Sequence, residues 1–150
     1  LLDRLMFKLH HIFIFTLALF AAIFAAGCDA EGGPTLSAPE AFTKAQAGEI
    51  TLIDIRTPRE WRQTGVAEGA ITIDMTKKTF VTEILDAVDG DKDAPIAIIC
   101  RTGNRTPYSQ KALQEMGFSR VFNVKEGMSG SGAGPGWVRR GLPVDSCQTC

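Results

Sequence analysis

Three groups of side chains in this sequence carry chemistry of their own. The first is the run Cys100, Arg101, Thr102, Gly103, Asn104, Arg105, Thr106, in which a thiol is followed closely by a glycine and two guanidinium groups. Gly103 permits a positive φ, so successive N–H groups can turn inward as a nest for an anion. Arg101 and Arg105 offer forked donors that match a tetrahedral oxyanion. A thiol in such a field is expected to act as a nucleophile near neutral pH without a histidine base. Packing alone would account for Cys100 as a small buried residue, but it leaves the glycine and the two arginines unexplained.

The second group is Asp54 and Arg56, which end a strand and read mainly as a structural pair standing behind the site, with Glu60 and Trp61 read as helix charge and core. The third is the pair Cys147 and Cys150, spaced C-x-x-C near the C-terminus. In an oxidising compartment this pair is expected to close as a local disulfide or to serve as a resolving dithiol for oxidised Cys100. Two thiols make a poor zinc site, and no histidine is at hand to complete one, so no metal is expected. Lys125, Glu126 and Met128 follow a strand on the loop's side of the sheet and read either as pocket lining or as ordinary loop. The glycines of residues 127–136 read either as a wrap around the reactive loop or as a flexible segment.

What is missing narrows the chemistry further. The only histidines, His10 and His11, fall within the N-terminal segment of residues 1–27. A domain without histidine excludes Ser-His-Asp and Cys-His catalysis. With 16 basic and 17 acidic residues the net charge is -1, which gives no reason to expect a nucleic-acid partner.

Residues 1–27 look unlike the rest. A short polar stretch with Lys8, His10 and His11 leads into an apolar run from Ile12 to Ala26. That run is shorter than the roughly 20 residues a membrane span needs, and it ends in small residues, as an export signal does. Ala25, Ala26 and Gly27 directly before Cys28 resemble a bacterial lipobox, with Ala25 where Leu is usual. The reading is a signal peptide over residues 1–27 and an exported, periplasmic protein whose Cys28 is lipidated and holds it to a membrane. Plain secretion and an uncleaved anchor are the alternatives.

Behind these groups stand the elements that must position them. Residues 28–35 read as a tether and residues 36–145 as one domain, followed by a C-x-x-C tail over residues 146–150. Ser37, Pro39 and Glu40 signal a helix start. The runs ITLIDI, from Ile50, and IAII, from Ile96, read as buried strands, and shorter strands are expected near Ala70 and at Val121. Phe80, Ile84, Leu85 and Val88 fall at helical spacing, and Thr106 to Met116 reads as a helix closed by Gly117. Trp137, Leu142 and Val144 are expected to return apolar side chains to the core. Strands alternating with helices imply an α/β domain with a parallel sheet covered on both faces. Ligands of such sheets gather beyond the carboxyl ends of the strands, where Cys100 is expected.

The loop CRTGNRT resembles the active-site loop of the rhodanese family, and the likeness extends beyond it. LIDIRTPREW, residues 52–61, is similar to that family's Asp-x-Arg-x-x-x-Glu-aromatic segment. GVAEGAI, residues 65–71, is similar to its Gly-His-Ile-x-Gly-Ala segment, with Val66 in place of His. Gly136-Trp137 and Gly141-Leu142-Pro143-Val144 are similar to its closing segment. The resemblance implies a rhodanese-like fold of the single-domain, exported kind and a thiosulfate sulfurtransferase. Cys100 would carry sulfur from a small anionic donor such as thiosulfate, or from a persulfide, to a thiol or cyanide. Residues 101–106 would cradle the donor, with no cofactor and a monomeric protein. Two alternatives stand beside it. One is a sulfur carrier or redox-linked binding module, and the other is a cysteine phosphatase or arsenate reductase. Cysteine phosphatases on this fold use C-x5-R, and the shorter C-x4-R from Cys100 to Arg105 suits a terminal sulfur better than a phosphoryl group.

Overall fold

The computed structural model describes residues 33–148 and 150. The expected leader, Cys28 and the start of the tether lie outside the described residues. In chain order the elements are β1 (Thr35–Leu36), α1 (Ala38–Gln46), β2 (Thr51–Asp54), α2 (Pro58–Thr64), β3 (Val66–Ala67), β4 (Ile71–Thr72), α3 (Phe80–Ala87), β5 (Ile96–Ile99), α4 (Thr106–Glu115), β6 (Val121–Val124), α5 (Gly136–Arg139) and β7 (Val144–Asp145).

The branched apolar runs form the middle of a sheet because side chains in a strand alternate between its faces, and here both faces are buried. Ile96, Ile98 and Cys100 fall on one side with Ile53, Ile55, Ile73 and Val121, and pack against Ile84 of α3 and Leu113 of α4. Ala97 and Ile99 fall on the other side with Leu36, Leu52 and Val124, and pack against Ala38 and Ala41 of α1 and Trp137 of α5. Helices therefore cover both faces. Each fully buried isoleucine contributes about 1.5–3 kcal/mol from area alone, so β5 is the firmest part of the scaffold.

The five strands of this sheet run parallel in the order β1-β6-β5-β2-β4. From β2 the chain crosses outward to β4, then returns through α3 to β5 on the other side of β2. The crevice at the carboxyl ends of β2 and β5 is thus the topological switch point, where ligands of open parallel sheets bind. Asp54 ends β2 opposite Ile99, and Cys100 follows Ile99 directly.

Ser37 caps α1 as its sequence indicates: its hydroxyl accepts from Glu40 N at 3.4 Å, and its own N–H donates to Glu40 Oε2 at 2.8 Å. Four short elements, β1, β3, α5 and β7, were not legible. β1 begins inside the stretch read as tether, held because Asn123 N donates to Pro34 O at 3.0 Å and Lys125 N to Leu36 O at 3.1 Å. β7 pairs antiparallel with β3, matching Val66 to Asp145 and Ala67 to Val144. Val144 was expected in the core but is 42% exposed, because its backbone rather than its side chain makes the attachment.

Candidate active site

Cys100 leaves β5 at the switch point fully buried, its Sγ 4.0 Å from Thr106 Oγ1. After it the chain turns through Gly103, whose φ is +76°, and enters α4. Only glycine fits there, since a Cβ would fall on the carbonyl oxygen of Lys125. The glycine-rich segment closes on the back of this turn. Met128 N donates to Cys100 O at 2.9 Å and Ser129 N to Arg101 O at 2.8 Å. Gly127 presses on the same backbone, and a Cβ on it would lie 2.7 Å from Gly103 N. Of the two readings left open for this segment, the structure shows the wrap. Thr106 pins the corner by donating to Gly103 O at 3.1 Å and lying 2.5 Å from Asn123 Oδ1.

The carbonyls of Cys100, Arg101 and Gly103 are thus occupied while the loop's backbone N–H groups are not. Among the described residues, no backbone N–H from Arg101 to Thr106 donates to a protein acceptor. Free N–H groups at a helix N-terminus form an anion site from backbone alone, and these lie in the residues that follow Cys100.

The two arginines differ. Arg101 is exposed and makes no salt bridge among the described residues. Arg105 is held by Glu60 in a bidentate pair, Nη2 to Oε1 at 2.6 Å and Nη1 to Oε2 at 3.1 Å. Glu60 also accepts from Thr57 N at 3.1 Å and Thr57 Oγ1 at 3.0 Å, the reciprocal bonds that start α2. Burial pushes the Glu60 carboxyl up, but the bonds from Arg105 and Thr57 together with the Arg105 charge overcome it and hold the group at about 2. Arg105 in turn stays protonated more firmly than usual. Its bond to Glu60 is the main cause, burial opposes it, and the Glu60 charge and Cys100 beside the guanidinium add to it. Glu60 is therefore not merely helix charge, as the sequence indicated: it fixes the second arginine of the loop against the thiol.

Asp54 and Arg56 act one step further back. Arg56 Nε reaches both oxygens of Asp54 at 2.9 and 3.0 Å, and Nη2 reaches Oδ2 at 2.7 Å, with both residues buried. The remaining donors of Arg56 hold the far end of α2, reaching Thr64 Oγ1 and Gly65 O, each at 2.7 Å. The pair makes no hydrogen bond to the loop itself among the described residues. It sets α2 on β2, and α2 delivers Glu60.

Sequence reasoning missed Asn123, although a lone amide in the apolar strand VFNV was a visible signal. Glu126, read as pocket lining or loop, is a buried clamp. It accepts from Ala38 N at 3.3 Å, Gly136 N at 3.0 Å and Arg140 Nε at 2.7 Å, joining α1 to the glycine-rich segment and α5. Met128 is core, and Lys125 is exposed beyond β6. Cys147 and Cys150 are joined as a disulfide. The tail lies on α2 through Arg62, whose Nη1 donates to Cys150 O at 2.7 Å. Among the described residues no group of three or more His, Cys, Asp or Glu side chains is arranged to hold a metal ion.

A buried strand-end cysteine at the switch point, followed by a glycine-turned loop and a helix N-terminus, defines a class of thiol-centred α/β domain. Residues 37–132 match the family described as the Rhodanese-like domain, and the chain belongs to that family. It is 30% identical over 100 residues to a protein named sulfurtransferase from Allochromatium vinosum, covering 67% of this chain and 82% of that one. It is 27% identical over 111 residues to thiosulfate sulfurtransferase GlpE of Actinobacillus pleuropneumoniae, covering 74% of this chain and 92% of that one. Among solved structures it is similar to the polysulfide-sulfur transferase homodimer of Wolinella succinogenes. That likeness has a TM-score of 0.59 and 27% identity, over 90% of this chain and 92% of that one.

Proposed function

We propose that the protein is a sulfurtransferase that moves sulfane sulfur from thiosulfate or a persulfide to a thiol or cyanide through a persulfide on Cys100. The observation that carries this reading is the set of unengaged backbone N–H groups from Arg101 to Thr106 directly after the buried thiol. The Cys100 thiolate attacks the outer sulfur of thiosulfate. A bond forms between Sγ and that sulfur, the sulfur–sulfur bond of the donor breaks, and sulfite leaves with the bonding pair. Loop N–H groups and the exposed Arg101 stabilise the charge on the donor and on the persulfide. Arg105, fixed by Glu60, faces the sulfur from the helix side. An acceptor nucleophile then takes the outer sulfur and restores the thiolate, a two-step cycle with a covalent intermediate.

Burial of Cys100 bears on which donors fit. The thiol has no exposed surface, so a donor must offer a slim terminal atom, which a sulfane sulfur does and a phosphoryl group with its oxygens does not. This supports the reading over phosphatase or arsenate reductase chemistry. Incubation with thiosulfate is expected to add one sulfur atom to the intact protein by mass spectrometry, and p-nitrophenyl phosphate is expected to give no turnover. Phosphate release with no sulfur adduct would reverse the assignment.

The leader-like residues 1–27 and Cys28 favour an exported site for this chemistry, anchored through a lipidated Cys28. Metabolic labelling with a fatty acid should mark the wild type and not Cys28→Ser. The tail supports a redox-linked role only through its disulfide. Cys147→Ser with Cys150→Ser is expected to leave thiosulfate turnover within about twofold, since a local crosslink constrains few residues.

A further inference from the structure

Four neighbouring strands of the sheet each lead into an exposed cation. Beyond β6 stands Lys125, beyond β5 Arg101, beyond β2 Arg59, and beyond β4 Lys77 and Lys78, with Glu83 paired to Lys77 at 3.7 Å and exposed Glu40 near Lys125 as the acidic groups among them. In a parallel sheet all these positions lie at one end, the end that holds Cys100. The opposite end carries Glu49, Asp86, Asp89, Asp91 and Asp93, all exposed, against Lys44, which pairs with Glu49, and the exposed Lys92 and Arg120. In a chain with net charge -1, exposed cations thus outnumber exposed carboxylates around the thiol, while carboxylates are in modest excess at the far end.

The width of the cationic row decides what it fits. Strands sit about 4.8 Å apart, so the ends of β6 and β4 stand about 14 Å apart, with that of β5 between them. Thiosulfate in the Cys100 loop cannot touch both flanks of that row, whereas an extended segment of a macromolecule can. Tyr108, in the first turn of α4 beside the loop, is 80% exposed. Exposed aromatic and arginine side chains of this kind are enriched where proteins dock.

Resting on the sulfurtransferase reading for its chemistry, we infer that the row Lys125, Arg101, Arg59, Lys77 and Lys78 is a docking surface for an acidic segment of an acceptor protein that presents a cysteine to Cys100. In the transfer the acceptor thiolate attacks the outer sulfur of the Cys100 persulfide. The new sulfur–sulfur bond forms on the acceptor, the bond to Sγ breaks, and Cys100 regains its thiolate with no net oxidation. The need for a soft sulfur nucleophile favours a protein over a nucleic acid, which offers charge but no thiol. Complementary charge of this kind acts mainly on the rate and selectivity of encounter.

The probe is a short fluorescent oligoglutamate peptide with one cysteine. It is compared with an oligoglutamine peptide of equal length and with a single-stranded oligonucleotide of equal charge. Binding is read by anisotropy with the peptide thiol blocked, independently of catalysis. Sulfur transfer is read separately by mass spectrometry with the thiol free. The glutamate peptide is expected to bind at least about tenfold more tightly than the glutamine peptide at low salt, with the advantage lost by about 0.5 M salt. The double variant Lys77→Glu, Lys78→Glu is expected to lose at least about fivefold of that binding while cyanide turnover on thiosulfate stays within about twofold. Equal binding of the two peptides, an unchanged double variant, or preference for the oligonucleotide would overturn the docking surface. Charge-dependent binding with no persulfide on Cys100 would uphold the surface and overturn the sulfurtransferase reading.

Discussion

Asp54–Arg56 and Glu60–Arg105 are both carboxylate–guanidinium pairs whose carboxylates come from one stretch of sequence around α2, yet they do different work. Arg56 is 1% exposed and spends every donor inside the protein, on Asp54 and on the C-terminal end of α2. Arg105 is 34% exposed and stands at the edge of the Cys100 loop with Glu60 behind it. Having no access to water or substrate, the first pair can only organise. The second is anchored on one side and open on the other, so it can hold a charge where a reacting anion would arrive. A bidentate geometry common to both pairs does not reveal role; what each guanidinium has left over does.

That contrast can be broken at either pair. The largest loss is expected from Arg56→Leu, which leaves Asp54 buried without its partner and should cost about 3–5 kcal/mol. Urea unfolding should show the midpoint fall, while the folded fraction still loads sulfur, slowed by no more than the about tenfold expected when Arg105 loses its anchor. A low-stability variant that also fails to load sulfur when folded would place Arg56 in the chemistry. Gly103→Ala comes next. A side chain there meets Lys125 O and is strained at positive φ, so turnover should fall by about a hundredfold for a stability cost of about 1–3 kcal/mol. Near-normal turnover would show that the cradle does not depend on this turn.

Glu60→Gln should cost about 1–2 kcal/mol at neutral pH, discounted because Arg105 is partly solvated. Turnover should fall about tenfold as Arg105 loses its anchor. Its pH signature separates it from a packing defect. The Glu60 carboxyl sits near 2 when folded against an ordinary 4.5, so its contribution is complete above about pH 4.5 and disappears as pH falls through about 2. Wild type and variant should therefore converge in stability across that acid window, and a gap that persists at pH 2 would argue against the ion pair as its source. The smallest expected effect is on reagent choice. Iodoacetamide should modify Cys100 faster than a bulky aromatic disulfide does, because the thiol is buried. Equal rates would mean the loop opens freely.

The central strands, the four longer helices and the Cys100 loop were legible because each rests on local rules. Branched apolar runs gave β2, β5 and β6, caps placed the start of α1, and Gly117 placed the end of α4. What escaped depended on distant partners. β1 and β7 are two-residue strands whose backbone bonds, not their patterns, hold them. Glu60 read as a helix charge because its local task as a cap is complete without Arg105, 45 residues away. Glu126 could not be seen as a clamp until α1 and α5 converged on it. Asp54 and Arg56 were placed beside the site from their motif, and their burial shows that they act through α2.

The most direct test is cyanide-dependent formation of thiocyanate from thiosulfate, comparing the protein with its Cys100→Ser variant while following the mass of each. Turnover in the parent, a single added sulfur before cyanide is supplied, and loss of both in the variant are the predicted results. A folded parent that neither gains sulfur nor forms thiocyanate would contradict the account, as would turnover that survives without the Cys100 thiol.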